Sequence, residues 1–176
     1  MSRIVETPPA CITLRPARTG DEALLFEIYA STRAEELAQV GWSKQQRETF
    51  LRMQFLAQDK HYRENHPGAE FQIIQVDGEP AGRLYVHHRA SEIRIMDVAL
   101  LPVYRRRGIG TMLLEEILAE GAQSGKIVSI HVEVFNPALR WYERLGFKKV
   151  AANGPYHLME WVAKRDHHGF VADTLR

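Results

Sequence analysis

Pro102-Val103-Tyr104-Arg105-Arg106-Arg107-Gly108-Ile109-Gly110-Thr111 is the stretch on which the fold turns. An apolar run, Ile93 to Leu101, leads into it, and an amphipathic run from Gly108 to about Ser124 leads out. Three arginines and two glycines therefore stand where a strand hands over to a helix. The first backbone N–H groups of a helix lack intrahelical partners, and the helix dipole puts partial positive charge there. Gly108 and Gly110 carry no Cβ, so a ligand can approach the backbone closely. Arginine adds planar donors suited to phosphate. The stretch reads as a pyrophosphate cradle. No Lys-Ser/Thr follows the second glycine, which excludes a Walker A loop, and the G-x-G-x-x-G spacing is absent.

The strand before the cradle changes phase. Ile93 and Ile95 share one side of its alternation, while Met96, Val98 and Leu100 share the other. A slip of one residue flips the facing, and an inserted residue is how a strand manages it, so a β-bulge is predicted near Ile95 to Asp97. After the cradle, Ile109, Leu113, Leu114, Ile117 and Leu118 form one helical stripe with Glu115, Glu116 and Glu120 outside it. Gly125 suits a helix C-cap. Val128, Ile130, Val132 and Val134 alternate with polar residues as a strand. Strand, helix and strand in succession imply a right-handed βαβ unit with parallel strands. Asn136-Pro137 opens a short helix, Ala138 to Leu145, which Gly146 ends. Phe147 to Val150 and His157 to Val162 read as closing strands around Asn153-Gly154-Pro155.

Upstream, Cys11 to Arg15 alternates as a first strand and Pro16 stops it. Asp21 opens a helical pattern with Leu24, Leu25, Ile28 and Tyr29. Ser31 to Gly41 is polar and reads as a broken helix or loop. Ser43 and Gln46 have capping-box spacing. The helix that follows puts Phe50, Met53, Phe55 and Leu56 on an apolar side and fades near Lys60, and His61 to Ala69 reads as loop. Phe71 to Val76 and Ala81 to His88 form a hairpin around Asp77-Gly78.

The 176 residues, 45% hydrophobic and 26% charged, suit one domain over 11–163 with a loose arm at 1–10 and a polar tail at 164–176. A formal net charge of +1 points to no nucleic-acid partner, and no interleaved aromatics accompany the arginines. One cysteine, Cys11, forms no internal disulfide and suits a reducing compartment. No apolar run approaches the roughly 20 residues of a membrane span, and the N-terminus lacks a signal-peptide core. These features read as cytoplasmic. His87-His88 and His167-His168 have neither helical partners nor a cysteine set, so no metal is expected.

Arg105-Arg106-Arg107-Gly108-Ile109-Gly110, with its Leu-x-Pro-x-Tyr lead-in from Leu100, resembles the coenzyme A loop of the GCN5-related N-acetyltransferases, the GNAT superfamily. Asn136-Pro137-Ala138, then Tyr142-Glu143-Arg144-Leu145-Gly146-Phe147, resembles that superfamily's second signature, in the right order and one βαβ crossover away. The resemblance implies an α/β fold: a mixed sheet with a splayed parallel strand pair and flanking helices. It also implies acetyl-CoA as co-substrate. Backbone groups of Val98, Ala99 and Leu100 would pair with the pantetheine amides. Backbone N–H groups of Arg105, Arg106, Arg107, Gly108, Ile109, Gly110 and Thr111 would bind the pyrophosphate, with arginine side chains assisting. Asn136, beside Ala138, would bond the coenzyme arm, and Tyr142 would stand near the sulfur.

The implied reaction is acetyl transfer to a primary amine of a small molecule or peptide by direct attack in a ternary complex. The alternative is a non-catalytic acyl-CoA sensor. No protein nucleophile is required, and Cys11 is not a convincing one. A backbone N–H at Val98 or Ala99 can support the oxyanion, and Tyr142 can protonate the thiolate. Many family members place an acid four residues before Val98, where this chain has Arg94. Glu92, Asp97 and Glu133 are the substitute bases. The acceptor would meet Tyr29 to Phe55 and Tyr156, where carboxylates suit a polyamine or aminoglycoside and arginine an amino-acid or peptide carboxylate. A homodimer is compatible with the fold, with no residue specifying it.

Overall fold

The computed structural model describes residues 10–163. The expected arm and tail, and with the tail His167-His168, lie outside the described residues, Ala10 excepted. The elements in chain order are β1 (Ile12–Pro16), α1 (Glu22–Ala38), α2 (Lys44–Asn65), β2 (Glu70–Val76), β3 (Glu79–His88), β4 (Glu92–Leu100), α3 (Ile109–Ser124), β5 (Ile127–Glu133), α4 (Leu139–Arg144), β6 (Lys148–Asn153) and β7 (Tyr156–Trp161). The strands form one sheet in the order β1-β2-β3-β4-β5-β7-β6. Among these pairings only β4 with β5 is parallel, and α3 makes the crossover. This is the mixed sheet with flanking helices that the sequence implied.

Alternation along the strands divides the core between the two faces. Ile74, Leu84, Val86, Ile93, Ile95, Val128 and Ile130 pack with the α3 stripe of Ile109, Leu113, Leu114 and Ile117. On the other face Ile73 and Tyr85 pack with Leu25 and Tyr29 of α1 and Phe55 of α2. At Gly82 the sheet is crowded: a Cβ there would run into the carbonyl oxygen of Ala99 on β4. The Asp77-Gly78 turn has positive φ at both residues, 52° and 85°, which fits a tight hairpin. Gly125 ends α3 at φ 66°, donating its N–H back to Gly121 and Ala122.

Two helices outrun the sequence reading. α1 continues through Ser31 to Ala38: Leu37 is buried, Arg33 bonds Glu133 and Ser31 accepts from Arg105, while the Ser31 and Thr32 hydroxyls are satisfied by the Ile28 and Tyr29 carbonyls. α2 begins on the expected capping box, with Ser43 Oγ accepting from Gln46 N–H at 3.2 Å. It then passes Lys60 and reaches Asn65, supported by Asp59–Arg63 and Lys60–Glu64 pairs one turn apart. Its apolar side is narrower than expected. Phe55 is buried, but Met53 and Leu56 are exposed.

Candidate acyl-transfer site

β4 and β5 face each other from Glu92–Ile127 to Ile95–Ile130 and no further. Both strands continue, to Leu100 and Glu133, without pairing again. The cause is a bulge in β4. Tyr85 of β3 pairs with Asp97 and Val86 pairs with Ile95, leaving Met96 as the extra residue. A bulge bends and twists its strand. It also explains the phase slip and corrects its expected facing: Met96 packs on the α1/α2 side, but after the bulge Val98 and Leu100 return to the α3 side with Ile93 and Ile95. Val98, Ala99 and Leu100 stay paired to Leu84, Arg83 and Gly82 on one edge. Their other edge borders the opening between β4 and β5. Strand backbone groups turned toward that opening have no ladder partner, and an amide-bearing ligand can satisfy them.

At the open end of β4, a single turn, Pro102–Tyr104, leads to α3. Arg106 (φ 59°) and Gly108 (φ 77°) both take the left-handed conformation that wraps the loop. Such backbone is costly for a residue with a Cβ and recurs at ligand clamps. The first helical bond of α3 runs from Met112 N–H to Gly108 O at 3.0 Å. The N–H groups of Ile109, Gly110 and Thr111 precede it and are left for an anion.

The arginines do not act alike. Arg105 is engaged by acceptors within the protein. Its Nε donates to Leu100 O at 2.8 Å, and its Nη2 donates to Ser31 Oγ at 2.9 Å and Ser31 O at 3.2 Å. It ties the loop to the end of β4 and to α1. Arg107 lies 5.6 Å from the Tyr104 ring centroid. Gly110 also has a packing reason beyond ligand approach. A Cβ there would come within 3.2 Å of Trp141, whose indole N–H donates to Thr111 Oγ1 at 3.0 Å. Trp141 thus docks α4 on the first turn of α3.

Asn136 lies past the end of β5, on the opposite wall. Its Oδ1 accepts from Ala138 N–H at 2.8 Å, an Asx turn opening α4, which fixes the side chain and leaves its amide N–H groups to donate to a ligand. Ala138 itself packs against the α3-side core. Tyr142 is buried, 5% exposed, between Trp141 and Phe147. Burial, and then the Asp97 charge, raise its phenol pKa well above the ordinary value, with no hydrogen bond to offset them. It is held as the protonated acid.

The three carboxylates part company. Glu92 sits at the closed end of the strand pair, where it accepts from Ser129 Oγ, Arg94 Nη2 at 2.8 Å and Arg89 Nη1 at 2.9 Å. Desolvation raises its pKa, but the hydrogen bonds and charges of Ser129, Arg94 and Arg89 more than reverse this and hold it low. The structure does not bring it together with Tyr142. Glu133, at the end of β5, bonds Arg33 of α1 at 3.0 Å. Burial would lower the Arg33 pKa, but the Glu133 bond and charge carry it above its ordinary value. Asp97 stands just beyond the last parallel pair. Its Oδ2 accepts from Arg83 Nη2 at 2.7 Å, and its side chain is 16% exposed against 3% for Arg83.

Arg83, Gln58, Ser31 and Trp141 were not singled out from sequence. Only Arg83 carried a usable sign, a charge inside the apolar run Ala81 to Val86. Cys11 is exposed at the far edge of the sheet, in keeping with no role as a nucleophile. Among the described residues, no cluster of three or more His, Cys, Asp or Glu side chains could hold a metal, and no helix is long and apolar enough to cross a membrane.

A family model for the Acetyltransferase (GNAT) family matches residues 27–147. That range holds the opened strand pair, the cradle and α4, and the chain belongs to this family. An uncharacterised N-acetyltransferase of Schizosaccharomyces pombe is 39% identical over 35% of this chain and 43% of its own length. An N-alpha-acetyltransferase of Sulfurisphaera tokodaii is 31% identical over 51% of this chain and 62% of its own length. The chain thus spans about half the length of these relatives. Among solved structures, the PaiA N-acetyltransferase of Thermoplasma acidophilum, in complex with coenzyme A, has a similar fold. Its TM-score is 0.65 at 20% identity, over 87% of this chain and 99% of that one. An acetyltransferase of Thermus thermophilus gives a TM-score of 0.63 at 22% identity, over 86% and 97%.

Proposed function

We propose that the protein is an N-acyltransferase that moves an acetyl group from acetyl-CoA to a primary amine by direct attack in a ternary complex. One observation carries the proposal. The parallel ladder of β4 and β5 ends at Ile95–Ile130, beside the free N-terminus of α3, with the Asp97 carboxylate just past that last pair and the buried Tyr142 phenol on the α4 side. The fold shared with a coenzyme A-bound N-acetyltransferase supports the choice of donor.

The residues divide the work as follows. The N–H groups of Ile109, Gly110 and Thr111, with Arg106 and Arg107 nearby, hold the pyrophosphate. The free edge from Val98 to Leu100 and the amide of Asn136 hold the pantetheine. The thioester supplies the activated carbonyl. The amine must lose a proton before or as its nitrogen attacks. Asp97 receives that proton, directly or through water: it stands just past the last parallel pair and its bond to Arg83 engages Oδ2 alone, whereas Glu92 is at the closed end and Glu133 meets Arg33 through both oxygens. As the new C–N bond forms and the C–S bond breaks, the Tyr142 phenol gives its proton to the departing thiolate. A backbone N–H near Val98 steadies the carbonyl oxygen meanwhile. The acceptor approaches from the side of α1 and α2, where Gln58 reaches Arg83 and the Tyr62 hydroxyl reaches the Met96 carbonyl, with Tyr156 as a further contact.

Calorimetry with acetyl-CoA, followed by thiol release across a panel of polyamines, aminoglycosides, amino acids and short peptides, tests this reading. Saturable binding and release that depends on the amine are expected. No heat of binding removes the donor, and binding without turnover leaves an acyl-CoA sensor instead.

A further inference from the structure

We propose that Arg83 is a positioning residue of this site: held from α2 by Gln58, its buried guanidinium fixes Asp97 Oδ2 where β4 leaves β5 and leaves Oδ1 for the acceptor amine. This rests on the acyl-transfer reading above.

The geometry is built from three elements. Arg83 of β3 donates through Nη2 both to Asp97 Oδ2 of β4 at 2.7 Å and to Gln58 Oε1 of α2 at 3.1 Å. Its guanidinium carbon lies 5.1 Å from the Tyr85 ring centroid and 5.8 Å from that of Tyr29. The guanidinium is thus confined by two rings, a carboxylate and an amide. Asp97 is the residue paired with Tyr85 directly after the bulge, so its Cα is set by the same irregularity that opens the sheet. Arg83 then sets the carboxylate's rotation.

A purely structural role fits poorly. The Arg83 side chain is 3% exposed, yet among the described residues its Nε makes no well-formed hydrogen bond. Buried polar atoms without partners cost stability, and a buried ion pair is commonly no better for folding than apolar residues of the same size. The neighbouring strand positions Leu84 and Val86 show what this region uses for packing alone. Among the described residues the cation within ion-pair distance of Asp97 is Arg83, so its removal changes the charge beside Asp97 by a full unit. The phenols of Tyr62, Tyr85 and Tyr142 are held protonated by burial and add no charge.

The test compares wild type, Arg83→Met, Arg83→Lys and Asp97→Asn with the fastest acceptor of the panel. Arg83→Met should lower kcat at least tenfold while the calorimetric Kd for acetyl-CoA stays within twofold. Arg83→Lys should restore part of the rate. An unchanged kcat in Arg83→Met overturns the inference. If Arg83→Met does not fold by circular dichroism, Arg83→Lys decides: a kcat loss at unchanged Kd supports the inference, and an unchanged kcat overturns it. Asp97→Asn separates the two readings. If it is fully active, Asp97 is no base and the assignment above fails. If it is inactive while the Arg83 variants match wild type, only the positioning role fails. No turnover by wild type overturns both.

Discussion

Ile95 and Ile130 are the last residues at which β4 and β5 face each other, and the bulged Met96 follows Ile95 directly. One inserted residue thus ends a parallel ladder in mid-strand. Removing Met96 would restore regular alternation without changing which face any neighbour meets, since Ile95 and Val98 already lie on the α3 side and Asp97 on the other. The deletion variant should therefore fold, with a circular dichroism spectrum like wild type. The straightened strand can continue along β5 and close the opening. The Kd for acetyl-CoA should rise about tenfold or more, a loss of about 1.4 kcal/mol. Unchanged affinity would show that the bulge does not make the slot.

That relationship was partly legible in the sequence, because a phase change in apolar alternation is a local signal. So were the cradle, which needs glycines at a strand-to-helix turn, and the capping box at Ser43. What the sequence hid was long-range. Ser31 to Ala38 looked too polar for helix, but the partners that make it helical are Arg105 and Glu133, 74 and 100 residues away from Ser31 and Arg33 respectively. Likewise Glu92, Asp97 and Glu133 could not be separated by composition. The cations that separate them, Arg94 with Arg89, Arg83 and Arg33, meet them only once the sheet is assembled.

The triple arginine should split when dissected. Arg105 spends its side chain on Leu100 and Ser31. Arg105→Ala should cost up to about 1 kcal/mol in chemical denaturation, since these hydrogen bonds lie at an exposed site and compete with water. Its Kd for acetyl-CoA should stay within about twofold. Arg107 has no such commitment beyond the Tyr104 ring. Arg107→Ala should leave stability alone and raise Kd by about three- to fivefold, less at high salt, as expected for an exposed charge. The reverse pattern in calorimetry would reassign the two side chains.

Tyr142 offers a rate effect separable from binding. Tyr142→Phe keeps the ring that packs on Trp141 and Phe147 and removes only the proton donor. Loss of a general acid should lower kcat by about a hundredfold, with Kd for acetyl-CoA within about twofold. Burial and the Asp97 charge both favour the neutral phenol, so its protonated form persists above the ordinary tyrosine value of about 10. The wild-type kcat should accordingly not decline from loss of this acid as pH rises to about 10. A full rate in Tyr142→Phe would remove the tyrosine from the reaction.

Asp21 provides a check on the fold independent of any ligand. It anchors the start of α1, accepting from Arg15 Nη1 at 2.7 Å, Arg15 Nη2 at 2.8 Å and Arg18 N–H at 2.7 Å. The Arg15 bonds first, and the Arg18 backbone second, hold its pKa down at about 2. A carboxylate whose folded value lies below its unfolded value near 4 stabilises the protein fully above about pH 4. The contribution fades as pH falls toward 2, where the folded form also takes up the proton. Asp21→Asn should therefore lower the stability by about 1–2 kcal/mol at pH 7, a modest figure because the pair is partly exposed to solvent screening. The gap between the two proteins, followed by urea denaturation, should narrow between about pH 4 and pH 2. A gap that stays constant over that range would show that the asparagine fails through lost packing and not through lost charge.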